Sequence, residues 1–201
     1  MDLDTDLASY VPQDGGEAAD VARVRTLVAG GDPFRRSAPL HVTGSALVLH
    51  PPTGRVLLRW HERMGSWLHL GGHVDPGEAG PAIAARREAE EESGLHDLTW
   101  WPDPDAPVVL QVVIVPVPEG SGEPAHEHAD VRYVLATSTP DAVVAERQTA
   151  PVRWASVDEA RDLVTEGNLR VALGRLAALR AARPRGHHTG SHPHVEVEHP
   201  L

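Results

Sequence analysis

The chain has no cysteine and no lysine, and it has only one phenylalanine and two tyrosines among 201 residues. Without cysteine there is no disulfide scaffold, no thiolate zinc site and no cysteine nucleophile. A chain of this length needs no staple, because a single domain of such size buries roughly 70% of the surface its unfolded chain exposes. It is long enough for one domain with extensions, not comfortably for two. Positive charge is scarce: 18 arginines face 29 aspartates and glutamates, for a formal net charge of -11. That balance argues against duplex nucleic acid or an anionic membrane as a partner, since both reward clustered basic residues. It leaves small anionic substrates open, because a bound metal can neutralise them locally. The exclusive use of arginine, with abundant alanine, glycine and proline, reads as genome composition. No apolar run approaches the ~18 residues of a membrane span. The acidic start, MDLDTDLASY, has no apolar core and is not a signal peptide, so the expected location is the cytoplasm.

What is present is an alternation of helical and extended patterns. The first fifteen residues are expected to be frayed. Val21, Val24 and Val28 recur at helical spacing before Gly30-Gly31 and Asp32-Pro33, which predicts one helix over about 17–29. Residues 41–49 and 55–60, separated by Pro51-Pro52-Thr53-Gly54, predict a hairpin. A Gly-rich stretch from Leu70 to Glu78 leads into an Ala-rich helix from Pro81 to Ser93, with Gly94 in the usual stop position. Strands are expected near 96–101, 108–117 and 130–137, with a loop over 118–129. Val152-Arg153-Trp154 reads as a short strand. Ser156 and Glu159 match a capping box, and a final helix is expected from Asn168 to Ala182. The His-rich segment from Arg183 onward has no core pattern and is expected to be disordered. The expected domains are an extension with one helix over 1–36, the main domain over 37–182, and the tail over 183–201.

The chemistry concentrates at the end of the Ala-rich helix. At ~100° per residue, Glu88, Glu91 and Glu92 share a ~100° arc, while Glu90 points away. Like charges three and four apart destabilise a helix, and negative charge at its C-terminus opposes the macrodipole. A hard divalent cation would relieve both penalties. An isolated run of glutamates is usually a solvated helix end. Here a strand and a Gly-rich loop lead into it, which favours a metal site.

That combination resembles the box of the Nudix hydrolase family: a glycine, five residues, Glu, seven residues, Arg-Glu, an apolar residue, any residue, Glu-Glu, any residue, Gly and an apolar residue. Gly72 and Glu78 have the required separation, and Arg87, Glu88, Ala89, Glu91, Glu92, Gly94 and Leu95 match without a gap. Eight residues, Ala79 to Arg86, stand between Glu78 and Arg87 where the pattern has seven. The extra residue is expected in the loop at Ala79-Gly80-Pro81, leaving the carboxylate register untouched. The likeness extends loosely over residues 40–165. It implies an α/β fold, an α/β/α sandwich around a mixed sheet. It implies hydrolysis of a nucleoside diphosphate linked to another group, by water attack on phosphorus with Mg²⁺ or Mn²⁺.

By residue match, Glu91 and Glu92 are metal ligands, Glu88 is a ligand or the general base, and Arg87 orients Glu88. The Gly72 carbonyl adds a ligand and Glu78 is supporting. His73, directly after Gly72, either faces the pyrophosphate or is a turn residue shaped by Val74-Asp75-Pro76-Gly77. Glu146, Glu127 and Asp130 are further candidates for the base. His126 and His128, two apart, would share a face on a strand, as a metal or phosphate contact or a polar margin. Arg59, Arg63 and Arg132 could grip phosphates, and one of the five tryptophans could stack on a base. The partner is a small-molecule nucleoside diphosphate derivative, and the resemblance is compatible with a homodimer. A nucleotide-sensing module without turnover is the alternative function; the complete carboxylate set argues against it.

Overall fold

The computed structural model describes residues 3–120 and 122–183. The expectation of a disordered tail falls outside these from residue 184 onward. The elements run α1 (Leu3–Ser9), α2 (Gly15–Ala29), β1 (Leu40–His50), β2 (Arg55–His61), β3 (Ser66–Leu68), β4 (Leu70–His73), α3 (Pro81–Ser93), β5 (Thr99–Trp100), β6 (Val109–Val117), β7 (His126–Ala136), β8 (Val152–Ala155), α4 (Val157–Leu163) and α5 (Gly167–Ala181). The strands form one mixed sheet. β1 lies at its centre, parallel to β7 and antiparallel to β2 and β4, and the remaining pairings are antiparallel.

Strand β1 is buried from His41 to Leu49 because both sheet faces are covered. Alternation sorts its side chains into two cores. Val42, Ala46 and Val48 join Ala82, Ala85 and Ala89 of α3 together with residues of α1 and α2. Leu47 and Leu49 join Leu169, Leu173 and Leu176 of α5 on the other face. The result is a three-layer α/β/α arrangement around a mixed sheet, as expected.

Local chemistry sets the helix ends. Helix α3 starts at Pro81, where a missing N–H costs nothing, and stops at Gly94 in the left-handed region, whose N–H reaches the Glu90 carbonyl. Ser156 and Glu159 form the reciprocal capping box of α4 at 3.2 and 2.8 Å. At Gly44 of β1, a Cβ would overlap the Pro81 backbone, so glycine lets the start of α3 settle against the central strand.

Three expectations need correction. Leu3–Ser9 is not frayed: the described part of the extension holds two helices, and Leu3 and Leu7 of α1 are core residues. A seven-residue helix has too little periodicity to register in sequence and too little length to stand alone; tertiary contacts hold it. The Tyr133 hydroxyl donates to Asp6 at 3.1 Å, anchoring α1 to β7. Second, Leu70–His73 is the strand β4, because Ala46 to Thr43 of β1 offer it a partner. Third, β7 begins at His126 because its first residues pair with Leu40 to Val42 of β1, which shortens the loop foreseen over 118–129.

Helix α2 lies along the outer side of β6. Glu17 accepts the backbone N–H of Val112 at 3.3 Å, and Asp20 accepts that of Ile114 at 3.0 Å. Arg175 of α5 meets Glu17 at 2.6 and 2.9 Å, so one buried carboxylate joins α2, β6 and α5.

Candidate active site

Strand β4 and helix α3 bring the carboxylates to the backbone of Gly71 and Gly72. A Cβ at Gly72 would overlap the Glu88 carboxylate, so only glycine allows this close approach. Glu92 is 8% exposed and accepts the Gly71 N–H at 3.2 Å. Its other oxygen lies 3.1 Å from Nη1 of Arg59 on β2. Burial pushes the Glu92 carboxyl up to about 7, against the pull of Arg59. Burial also raises Glu88, which Arg87 only partly offsets. Glu91, on the next turn, is the exposed member.

Arg87 is the hub between loop and helix. Its Nε donates to Glu78 at 2.8 Å, its Nη1 to Glu88 at 3.0 Å and Glu91 at 3.2 Å, and its Nη2 to the His73 carbonyl at 2.9 Å. Glu78 also accepts the Asp75 N–H at 2.7 Å. Burial alone would raise the Glu78 carboxyl, but the Arg87 and Asp75 bonds bring it below its ordinary value. Glu78 is therefore a bound, ionised brace for Arg87. Helix α3 runs unbroken from Pro81 to Ser93 and the Glu78–Arg87 contact spans residues 79–86, so the three carboxylates keep one helical register.

The other candidates separate. Glu146 comes to the site: its N–H meets the Glu92 carbonyl at 3.4 Å, and its carboxylate lies 3.5 Å from Arg59 Nη2. Glu127 does not join it. Residues alternate along β7, and Glu127 is taken by Arg23 of α2 at 3.2 and 2.5 Å, a bond that lowers its carboxyl. Asp130 is buried at 5% exposure and accepts from Thr43, Ser45, His69 and Arg132, which hold it ionised despite burial. With its acceptor sites filled, it is a structural anion and not a base. Arg132 is 1% exposed and spends its donors on Asp130, Gln111 and Asn168, so it is not the solvated phosphate grip its strand position suggests.

A cavity of about 340 Å³ opens beside Gly72 and Glu92, lined also by Arg59, Arg63, His69 and His73. None of the five tryptophans is among its lining residues; Trp60 and Trp67 pack edge to face at 5.6 Å across β2 and β3. His73 turns away from the carboxylates into a group of imidazoles with His41, His126 and His128. Sequence reading missed His41 and the pairing of Arg59 with Glu92. Both depend on which strands are neighbours, which no local pattern encodes.

A NUDIX domain profile matches residues 39–172, about two thirds of the sequence. The chain belongs to the Nudix family. Solved structures agree on the fold. A Nudix hydrolase from M. smegmatis, RenU, is 27% identical with a TM-score of 0.53, covering 72% of this chain and 88% of that one. An Ap4A hydrolase from C. elegans in a binary complex is 21% identical with a TM-score of 0.54, covering 70% of this chain and 97% of the other. A Nudix-family hydrolase from Clostridium perfringens is 22% identical with a TM-score of 0.51, covering 69% and 97%. No curated protein matches the sequence. This Nudix protein is thus a hydrolase acting on pyrophosphate bonds. Among the described residues, no helix is long and apolar enough to cross a membrane.

Proposed function

We propose that this Nudix hydrolase cleaves a nucleoside diphosphate linked to a second group, in a reaction that depends on Mg²⁺ or Mn²⁺. The observation that carries the proposal is the pair of carboxylates, half-buried Glu88 and buried Glu92, pressed against Gly71 and Gly72, with Arg59 and Arg87 covering only part of their charge. Such a set suits hard cations, which favour carboxylate, carbonyl and water oxygens. Glu88, Glu91, Glu92 and the Gly72 carbonyl would hold the ion. When bound, it supplies charge neutralisation for the pyrophosphate and acidifies the attacking water.

The protein's own groups do the rest. Arg87 fixes Glu88 and Glu91 in one orientation through charge-assisted bonds. Arg59 spans Glu92 and Glu146, tying the carboxylate helix to the loop before β8. Glu146 is the loop carboxylate that reaches the site through its links to Glu92 and Arg59, and it would accept the proton of the attacking water by giving up its exposed bonds from Arg147, at 2.8 and 3.1 Å, to that water. The cavity beside Glu92 gives the nucleoside part a place next to the carboxylates, with Arg63 at its wall.

The test is phosphate release, after a coupled phosphatase, from a panel of nucleoside diphosphate derivatives with Mg²⁺, Mn²⁺ or EDTA. Turnover that needs the metal and is lost in Glu92→Gln supports the reading. Metal-independent nucleotide binding without turnover, equal in both proteins, would replace it with a sensor.

A further inference from the structure

Four imidazoles, three of them lining the cavity, form a cluster that the hydrolytic chemistry does not use. Register assembles it. His41 of β1 lies opposite His128 of the parallel strand β7, and Thr43 of β1 lies opposite His73 of β4. On β7, His126 and His128 point to one face, as their spacing requires. The rings of His41 and His73 stack with centroids 5.1 Å apart, and those of His41 and His126 at 5.3 Å. His128 meets both His41 and His73 edge-on.

Hydrogen bonding leaves one nitrogen of His41 free. His41 is 1% exposed. Its Nδ1 lies 3.1 Å from the Ala38 carbonyl, which can only accept, so Nδ1 carries the proton. That leaves Nε2 unprotonated, and this atom is buried with no hydrogen-bond partner. His126 is anchored in the same way, Nδ1 donating to the Pro124 carbonyl at 2.8 Å, while its Nε2 shares a hydrogen bond with Nε2 of His128 at 3.1 Å, so one of those two nitrogens carries the proton. A carbonyl-anchored imidazole with a free second nitrogen, as in His41, is the arrangement that metal-binding histidines adopt. One ring nitrogen from each of His41, His73 and His128 falls within 4.8 Å of the others. Adjacent ligands of a tetrahedral ion with bonds of ~2.0–2.1 Å lie about 3.3 Å apart, so small side-chain movements close the site.

We propose that His41, His73 and His128, with His126 at the edge, form a second metal site, selective for a borderline divalent transition cation such as Zn²⁺ or Co²⁺. Three neutral imidazoles suit these ions and not Mg²⁺, which wants oxygen. His73, His126 and His128 line the cavity, so the open coordination position faces the space beside Glu92. The site does not rest on the hydrolase reading. Successive residues of β4 serve the two ions: Gly72 faces the carboxylates and His73 the imidazoles.

The test is Co²⁺ titration of the full chain with Mg²⁺ in large excess, so that oxygen sites are filled. Visible absorption and calorimetry are followed for the wild type, His73→Asn and His128→Gln. All three proteins keep the five histidines beyond residue 183, so tail binding is common to them and cancels in the comparison. The expected result is one fewer high-affinity equivalent in each variant and loss of the matching ligand-field band, with thermal melts retained. The wild type also carries its own readout: the proton on His41 Nδ1 should give a hyperfine-shifted, slowly exchanging imidazole resonance, which should be absent from both variants. Equal stoichiometry and spectra in all three proteins, or a cobalt-loaded wild type without that resonance, would overturn the site.

Discussion

Arg59 on β2 lies 3.1 Å from Glu92 on α3 and 3.5 Å from Glu146 in the loop before β8, so one guanidinium joins three separate parts of the chain at the carboxylates. It acts through those carboxylates as a positioning residue. Arg59→Gln should lower kcat by about 100-fold, the scale of a misplacement near 1 Å, with a much smaller change in KM. Arg59→Lys should recover part of it. Steady-state kinetics on the substrate found by the panel would check the split.

Gly72→Ala isolates the close approach of β4 to Glu88. The new methyl meets the far end of a flexible side chain, so Glu88 can swing aside and the fold survives. Stability should change by no more than about 1 kcal/mol, while turnover falls at least about tenfold. Equal activity in the variant would remove the Gly72–Glu88 contact from the mechanism.

Glu146→Gln asks whether the loop carboxylate moves the proton. A general base contributes typically about 10²–10⁴-fold, and a loss in that range with substrate binding retained is expected. If Glu146→Gln keeps full turnover and Glu88→Gln does not, the proton goes to the helix.

The Glu17–Arg175 pair is a stability element, far in sequence from the box. Its side chains are 5% and 9% exposed, and Tyr10 bonds to both partners. Removing one partner of a buried pair leaves the other uncompensated, at about 3–5 kcal/mol. Glu17→Gln should show this as a lower urea midpoint. Glu17→Gln with Arg175→Met should recover part of the loss.

Asp97 gives a pH signature. Burial would raise its carboxyl, but bonds from Thr137 at 2.6 Å and from the Ser138 N–H and hydroxyl at 2.8 Å hold it well below the ordinary range. A depressed folded value stabilises the protein above the unfolded value of about 4 and is lost as pH falls below it. The stability gap between wild type and Asp97→Asn should be full at pH 7 and narrow below about pH 4. Urea melts across that window would read it.

Local signals carried much of the architecture into the sequence. Pro81 and Gly94 marked both ends of α3, and the spacing of Glu88, Glu91 and Glu92 placed them on one face. Ser156 and Glu159 announced α4. What escaped depends on pairings between distant segments. Leu70–His73 reads as a Gly-rich loop until β1 is beside it. His41 has no local marker at all, because the parallel register with β7 is what sets it against His128. Glu127 and Glu146 look alike in sequence, yet strand alternation gives one to Arg23 and the fold brings the other to Arg59. Arg132 reads as a solvated strand residue because nothing local reveals Asp130 and Gln111 as its partners.

The carboxylates of Glu17 and Asp20 do more than attach α2. Among the described residues strand β6 pairs with β7 alone, so its outer row of N–H groups would otherwise be open to another chain. Glu17 and Asp20 occupy two of those donors, in the middle of the row. A shortened protein cut to the family match at residue 39 would keep every box glutamate and still expose a sticky sheet margin together with the apolar patch left by Leu3, Leu7, Val21 and Val24. Loss of activity in such a fragment would report aggregation, and would say nothing against the catalytic residues.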